Sequence, residues 1–286
     1  MALNLQTLKT RALTAVVFVL VMCVGLFYNQ WSFLGLFGVI MVGCLVEFHR
    51  LMGMINATYA GAPIIYKSQN IIGSFWVLLI IAGKGTLYQA LPLWYWASVL
   101  IYILIIVLLV TVFFFRTKLG YPVNLYSAIG VLYITIPTAM MIDLYDHSIQ
   151  FFEGPHWVLP MTIISSIWIN DTMAYLVGSL IGKTPLSPIS PKKTKEGTYG
   201  GAVLAVIAVT LAGHYIWGLP LKTLMAVSLT SAIAGTLGDL LESKIKRTAG
   251  VKDSGSFMPG HGGFLDRFDS LLIAIPAVWL VLFLFF

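Results

Sequence analysis

The chain has 286 residues, 59% of them hydrophobic and only 10% charged, with a mean hydropathy of +0.91. A soluble core of this size needs far fewer apolar residues, so the composition excludes an ordinary soluble domain and points to an integral membrane protein. The formal charge of +6 is compatible with nucleic acid, but Lys- and Arg-rich cytoplasmic loops explain it in a membrane chain, and no nucleic-acid partner is expected.

A spanning helix takes roughly 20 mostly apolar residues. Apolar runs at 12–28, 31–48, 64–83, 92–115, 123–142, 157–178, 199–217, 221–241 and 268–286 give nine candidates. They are continuous and not alternating, which disfavours a β-barrel. The first follows Lys9 and Arg11 as a signal peptide would, yet it continues through Phe27 without a small-residue cleavage site and is read as a retained span. The third is the weakest, because its clearly apolar part runs only from Ile71 to Gly83 and Lys67 has to snorkel. The expected fold is all-α: a polytopic transmembrane helical bundle of about nine spans. It forms one integral membrane domain over 1–286, with N-terminal spans in 12–142 and a chemistry-bearing half in 157–286.

With a cytoplasmic N-terminus, fifteen of the seventeen Lys and Arg fall on the cytoplasmic side, leaving Lys84 and Lys222 outside. The two most polar segments, 182–198 and 242–267, then face the cytoplasm, whereas the outer loop 143–156 carries Asp143, Asp146 and Glu153 without any Lys or Arg. Trp31, Trp94, Trp96 and Trp157 at span ends read as interfacial anchors. Cys23 and Cys44 sit inside apolar runs and read as small hydrophobes.

Acidic residues are few here, and each is costly near hydrocarbon. Asp171 lies well inside the sixth run, which makes it a candidate by cost alone. Gly178 and Gly182 form a G-x-x-x-G step suited to helix packing and, for a small bundle, to a homodimer. The run that follows, with Ser190, Lys192, Lys193, Thr194, Lys195 and Glu196, is a rigid basic loop suited to phosphate, although positive-inside bias alone also places lysines there.

Asp239 and Glu242 stand three residues apart at the end of the eighth run, and Asp266 and Asp269 three apart at the start of the ninth, so each pair shares one side of a helix. Between them lie Ser243, Lys244, Lys246, Arg247, Lys252, His261 and five glycines, and Arg267 follows Asp266. Pairing with lysines or capping of the last helix would explain some of the carboxylates. Two acidic clusters joined by a cationic loop suit a divalent metal with a polyphosphate, and the glycines would let backbone amides approach a ligand closely. On the residues alone, His261 is open between metal ligand, phosphate donor and a satisfied interfacial histidine, and Arg267 between phosphate binding and pairing with a carboxylate.

The stretch S-K-I-K-R, Lys252-Asp253, His261-Gly262-Gly263 and Asp266-Arg267-Phe268-Asp269 resembles the signature of the phosphatidate cytidylyltransferases, the CDP-diacylglycerol synthases. Asp171, Ala174-Tyr175 and S-P-K-K-T-K-E-G resemble that family's second motif. The resemblance implies transfer of a cytidylyl group from CTP to phosphatidic acid in phospholipid biosynthesis. Mg2+ is the implied cofactor, with place for a second, monovalent cation, and the lipid bilayer is a partner. The enzyme would be multi-pass in the cytoplasmic or inner membrane, its active site facing the cytoplasm.

Within that reading Asp239, Asp266, Lys252 and Asp269 are the catalytic candidates, and Asp239, Asp266 and Asp171 the metal ligands, with Glu242 in support. Ser190, Lys192, Lys193, Ser243, Lys246, Arg247, His261 and Arg267 are the substrate-binding set. A CTP-dependent polyprenol or phytol kinase is the nearest alternative, and an ion-coupled transporter with Asp171 and Asp239 as midplane sites a further one. The D-G-x-x-A-R motif of the CDP-alcohol phosphotransferases is absent.

Overall fold

A computed structural model of the chain describes residues 5–82, 120–152, 154–257 and 262–286. Helix α1 (Leu5–Phe27) is followed by α2 (Gln30–Ile55), the short α3 (Ala57–Ala60) and α4 (Ile64–Ala82). Then α5 (Gly120–Gly130) passes through one π-helical turn, Val131–Thr135, into α6 (Ile136–Phe152), and α7 covers Val158–Ile181. Strands β1 (Pro185–Ser187) and β2 (Ser190–Thr194) form an antiparallel hairpin ahead of α8 (Lys195–Trp217), α9 (Leu221–Thr248) and α10 (Leu265–Phe285).

Among the described residues, five helical segments are long and apolar enough to cross a membrane: Gln30–Ile55, Leu125–Phe152, Lys195–Trp217, Leu221–Thr248 and Leu265–Phe285. Leu13–Phe27 and Asn70–Leu79 are shorter apolar helices. The helical membrane bundle expected from the sequence is therefore present, but its nine-span count is not reached among the described residues. Expected span 92–115, with Trp94 and Trp96, lies outside them. Helix α7 forms where a span was expected, yet Ser165, Ser166, Asn170 and Asp171 interrupt its apolar run.

Local chemistry sets the element boundaries. Asn29 starts α2 with a reciprocal capping box: Ser32 N–H donates to its side chain at 2.8 Å, and its own N–H donates to Ser32 Oγ at 3.0 Å. Thr194 caps α8 by accepting from Gly197 N–H at 3.2 Å, and Gly218, at φ +66, ends it. The π-helical turn precedes Pro137, and Ile136 N–H reaches back to the Val131 carbonyl. A proline near the start of α6 supplies no N–H, so a local i to i+5 bond adjusts the ladder.

Three loops differ from expectation. Helix α6 runs through Phe152, so Asp143 and Asp146 ride on its last turns instead of an outer loop; Glu153 lies outside the described residues. Asp143 is held there by Trp279 Nε1, which donates to it at 2.9 Å. Segment 182–198 is the β1–β2 hairpin, closed at its base by Glu196, which accepts from Thr184 Oγ1 at 2.8 Å and from Lys183 N–H at 3.1 Å. Helix α9 continues to Thr248, placing Ser243, Lys244, Lys246 and Arg247 on a helix and not in a loop. Lys246 neutralises Glu242 one turn earlier, at 2.5 Å, which lets the charged sequence stay helical.

Packing centres on α2, where Phe33, Phe37, Met41, Leu45 and Phe48 are buried and Phe33 stacks on Tyr145 at 4.2 Å. Lipid offers no hydrophobic drive between helices, so close approach through small residues matters more. Gly178 and Gly182 meet Thr194, and Gly197 and Gly201 meet Ala174, so the G-x-x-x-G step is used within the chain, between α7 and α8. Aromatic contacts fix the polarity. Phe27 lies 5.0 Å from Trp157, itself 6.2 Å from Trp217, so the end of α1, the start of α7 and the end of α8 share one end of the bundle. The ends of α2, α7 and α9 and the start of α10 share the other.

Candidate functional site

The chemistry gathers at that second end. Gly238 lets α9 cross α10 at close range: a Cβ added there would lie 2.5 Å from the Asp269 carbonyl oxygen and 3.0 Å from Ser270 Cα. Asp239 thereby faces the first turns of α10. The small-residue contact of α7 with α8 brings the hairpin over the same place, and Lys193 on β2 reaches Asp239 Oδ2 at 2.7 Å.

A cavity of about 310 Å³ results. Asp171, Asp239, Asp266, Arg267 and Asp269 line it, with Phe18, Met22 and Trp168 among the apolar residues of its wall. Its size is at the lower end of the roughly 300–1,000 Å³ of small-molecule sites. Four predicted acidic residues from three helices thus meet in one place. Asp171 is exposed, whereas Asp269 is buried and accepts from Ser270 N–H at 2.6 Å.

Beneath the cavity runs a buried polar chain. Lys246 lies 2.5 Å from Glu242 and 2.6 Å from Asp266 Oδ1, and Glu242 is fully buried. Asp266 Oδ2 accepts from Ser254 N–H at 2.9 Å and Gly263 N–H at 2.8 Å, and the Ser254 hydroxyl oxygen lies 2.9 Å from it. Gly262 makes the turn before it at φ +82.

Other predicted residues are placed differently. Arg247 Nη1 donates to the Val251 carbonyl at 3.1 Å, closing the end of α9. Ser190 and Lys192 lie on β2, Ser243 on α9 and Lys252 in the segment after it; none is in the cavity lining. Lys192 and Lys252 are exposed. His261 lies outside the described residues.

Sequence reasoning missed Glu47 and Ser254. Glu47, on α2, is buried and accepts from Ser254 Oγ at 2.6 Å and from the N–H groups of Phe264 and Leu265 at 2.9 Å each. A Cβ at Gly255 or Gly263 would run into its carboxylate, so these glycines make room for Glu47 and not, as expected, for a ligand. The cost argument that flagged Asp171 applies equally to a lone carboxylate in the second apolar run.

The donor set suits a hard cation. Around the cavity and the chain beneath it, Asp171, Asp239, Glu242, Asp266, Asp269 and Glu47 stand against Lys193, Lys246 and Arg267, an excess of three negative charges when all are ionised. The ammonium of Lys193 supplies a positive charge at Asp239. Among the described residues, no three acidic, histidine or cysteine side chains are gathered tightly enough to form a metal cluster.

A family model for the cytidylyltransferase family matches residues 9–285. The chain belongs to the cytidylyltransferase family. A phosphatidate cytidylyltransferase of Staphylococcus haemolyticus (strain JCSC1435) is 42% identical over 132 residues, 46% of this chain and 50% of the relative. The protein of that name from Staphylococcus aureus (strain COL) is 43% identical over the same length. The one from Bacillus subtilis (strain 168) is 47% identical over 122 residues, 42% of this chain and 45% of the relative. The chain spans about half the length of the curated relatives it matches.

Proposed function

We propose that the chain is a CTP:phosphatidate cytidylyltransferase, making CDP-diacylglycerol and pyrophosphate for phospholipid biosynthesis. The observation that carries the reading is the cavity in which four aspartates meet a wall of Phe18, Met22 and Trp168. A phosphorylated lipid needs such a place, with polar groups for its head and an apolar side toward the bilayer. Family membership and the names of the relatives support the same reaction.

In that reaction a phosphate oxygen of phosphatidic acid attacks the α-phosphorus of CTP. A new P–O bond forms, the bond to the oxygen bridging toward the β-phosphorus breaks, and pyrophosphate leaves with the electron pair. Alignment and charge neutralisation do most of the work, and no protein nucleophile is required. Asp239 leads the set that would hold Mg2+, with Asp171, Asp269 and Asp266. When bound, Mg2+ neutralises phosphate charge and polarises the attacked phosphoryl group.

Lys193, 2.7 Å from Asp239, and Arg267, beside the cavity, would hold phosphate. Lys252, Lys192, Arg247, Lys246, Ser190, Ser243 and His261 complete the substrate-binding set, the exposed lysines engaging the outer phosphates as CTP docks.

The site end is assigned to the cytoplasm, where CTP is found. The residues Lys9 and Arg11 at the start of α1 and the basic end of α9 fall on that side, in keeping with the positive-inside bias. Nine spans remain the proposed count. Asn70 bonds Ser127 and Thr135 bonds Ser74, so α4 and the α5–α6 helix run parallel, which supports a further crossing between them. A homodimer would use a face other than Gly178 and Gly182, such as the exposed stripe of Val203, Ile207 and Leu211 on α8.

Detergent-purified protein incubated with CTP, Mg2+ and phosphatidic acid is expected to yield a CDP-lipid and pyrophosphate in equal amounts by mass spectrometry. Release of CDP with phosphorylation of a lipid alcohol would replace the reading by a lipid kinase, and the absence of CTP turnover with any lipid would remove it.

A further inference from the structure

Glu47 is the one carboxylate that the N-terminal half sends into the signature region, and the groups it meets are specific. It crosses more than two hundred residues of sequence to accept the N–H groups of Phe264 and Leu265, at the entry and first residue of α10. Those amides belong to the set that a helix leaves without internal partners, and the helix dipole favours a negative charge beside them. A helix start that would otherwise be a ready anion site is thus filled by the chain's own carboxylate.

The same carboxylate accepts from Ser254 Oγ at 2.6 Å, and that hydroxyl lies 2.9 Å from Asp266 Oδ2. The connection continues through Lys246 to Glu242. Glu47 is thereby tied both to the backbone from which Asp266, Arg267 and Asp269 project and to the side chain of Asp266. Two glycines, Gly255 and Gly263, leave it the necessary space.

We propose that Glu47 is a positioning residue of the site: it fixes the first turn of α10 and, through Ser254, the orientation of Asp266, so that the α10 carboxylates face Asp239 across the cavity. The inference rests on the cytidylyltransferase reading for its catalytic consequence alone. A carboxylate serves better than an amide, because the three groups it receives are all donors. Glutamine at this position turns its NH2 toward at least one of them.

The test uses the full-length protein in detergent, comparing Glu47→Gln, Ser254→Ala and, as a control at the distant Trp279–Asp143 contact, Trp279→Phe. Binding of Mn2+ alone is followed by electron paramagnetic resonance, and kcat and KM for CTP are measured separately. Outer residues that orient metal ligands typically change affinity or activity by about 10–100-fold, and Glu47→Gln is expected to weaken Mn2+ binding about tenfold and lower kcat about 30-fold with KM for CTP within about threefold. Ser254→Ala should move both in the same direction by a smaller factor, and it tests the proposal should Glu47→Gln not fold. Trp279→Phe should move neither.

Unchanged Mn2+ affinity and kcat in a folded Glu47→Gln protein, with only a lowered melting temperature, would overturn the proposal, as would an equal effect of Trp279→Phe. If wild-type protein turns over no CTP, the activity reading fails by itself, and weaker Mn2+ binding in Glu47→Gln still upholds the positioning role.

Discussion

Both ends of the bundle contain a cavity, yet only one is lined by acidic residues. Toward the end built by Trp157 and Trp217, the cavity is about 140 Å³ and its wall is almost wholly apolar, with Met161, Val209 and Leu224. In that half of the bundle Asp143 receives the indole N–H of Trp279 at 2.9 Å and has His147 beside it at 3.5 Å. At the opposite end the cavity is about 310 Å³, and Asp239 meets a lysine on a hairpin. A neutral donor fixed in a packed helix satisfies a carboxylate permanently. An ammonium on a partly exposed strand can be exchanged for another cation, and that difference separates a structural acid from a candidate ligand.

The sharpest way to break the comparison is a matched pair of substitutions. Asp239→Asn is expected to lower kcat by at least about 10³-fold, equivalent to about 4 kcal/mol of transition-state stabilisation, as measured by pyrophosphate release. Asp143→Asn should leave kcat within about twofold, because its carboxylate faces an indole and an imidazole and no reacting group. Equal losses in the two variants would erase the distinction between the ends.

Next comes the buried chain. Lys246→Met leaves Glu242 and Asp266 without their shared cation, and breaking a buried pair costs about 3 kcal/mol or more. The loss is read as a lower melting temperature in detergent. A variant as stable as the wild type would mean that these acids are satisfied otherwise.

Helix packing gives the third test. Gly238→Ala places a methyl group 2.5 Å from the Asp269 carbonyl oxygen, where backbone cannot give way cheaply. Overpacking of this kind costs about 2 kcal/mol. It should also lower kcat, since α9 and α10 carry Asp239 and Asp269 on either side of that contact. The corresponding change at Gly73 on α4, where an added Cβ meets nothing within 4 Å, should do neither.

What the sequence disclosed follows the physics of each signal. Apolar length and the rarity of charge pointed to the membrane bundle, and the cost of acids near lipid pointed to Asp171, Asp239, Asp266 and Asp269, which the fold brings to one cavity. The helical course of Ser243 to Arg247 was hidden because a local charge-rich pattern looks like a loop until Lys246 is seen to neutralise Glu242. The hairpin was hidden because its closure depends on Glu196 reaching back to Thr184, a pairing that periodicity does not encode. Glu47 carried a legible cost but no visible partner, since its donors lie more than two hundred residues away.

The smallest effect tests whether the far end is as inert as its packing indicates. Trp279→Phe keeps an aromatic ring, though a smaller one, and removes the N–H that Asp143 accepts. The loss of one hydrogen bond to a charged acceptor at a partly buried site costs about 1 kcal/mol, read as a modest fall in melting temperature. Because Trp279 stacks on Phe283 at 5.3 Å and phenylalanine retains an aromatic face there, the helix packing should persist. Turnover and cation affinity are then expected to match the wild type. A fall in kcat comparable to that of Gly238→Ala would instead mean that the course of α10 transmits strain to Asp269 along its length, and the two ends would have to be treated as one mechanical unit.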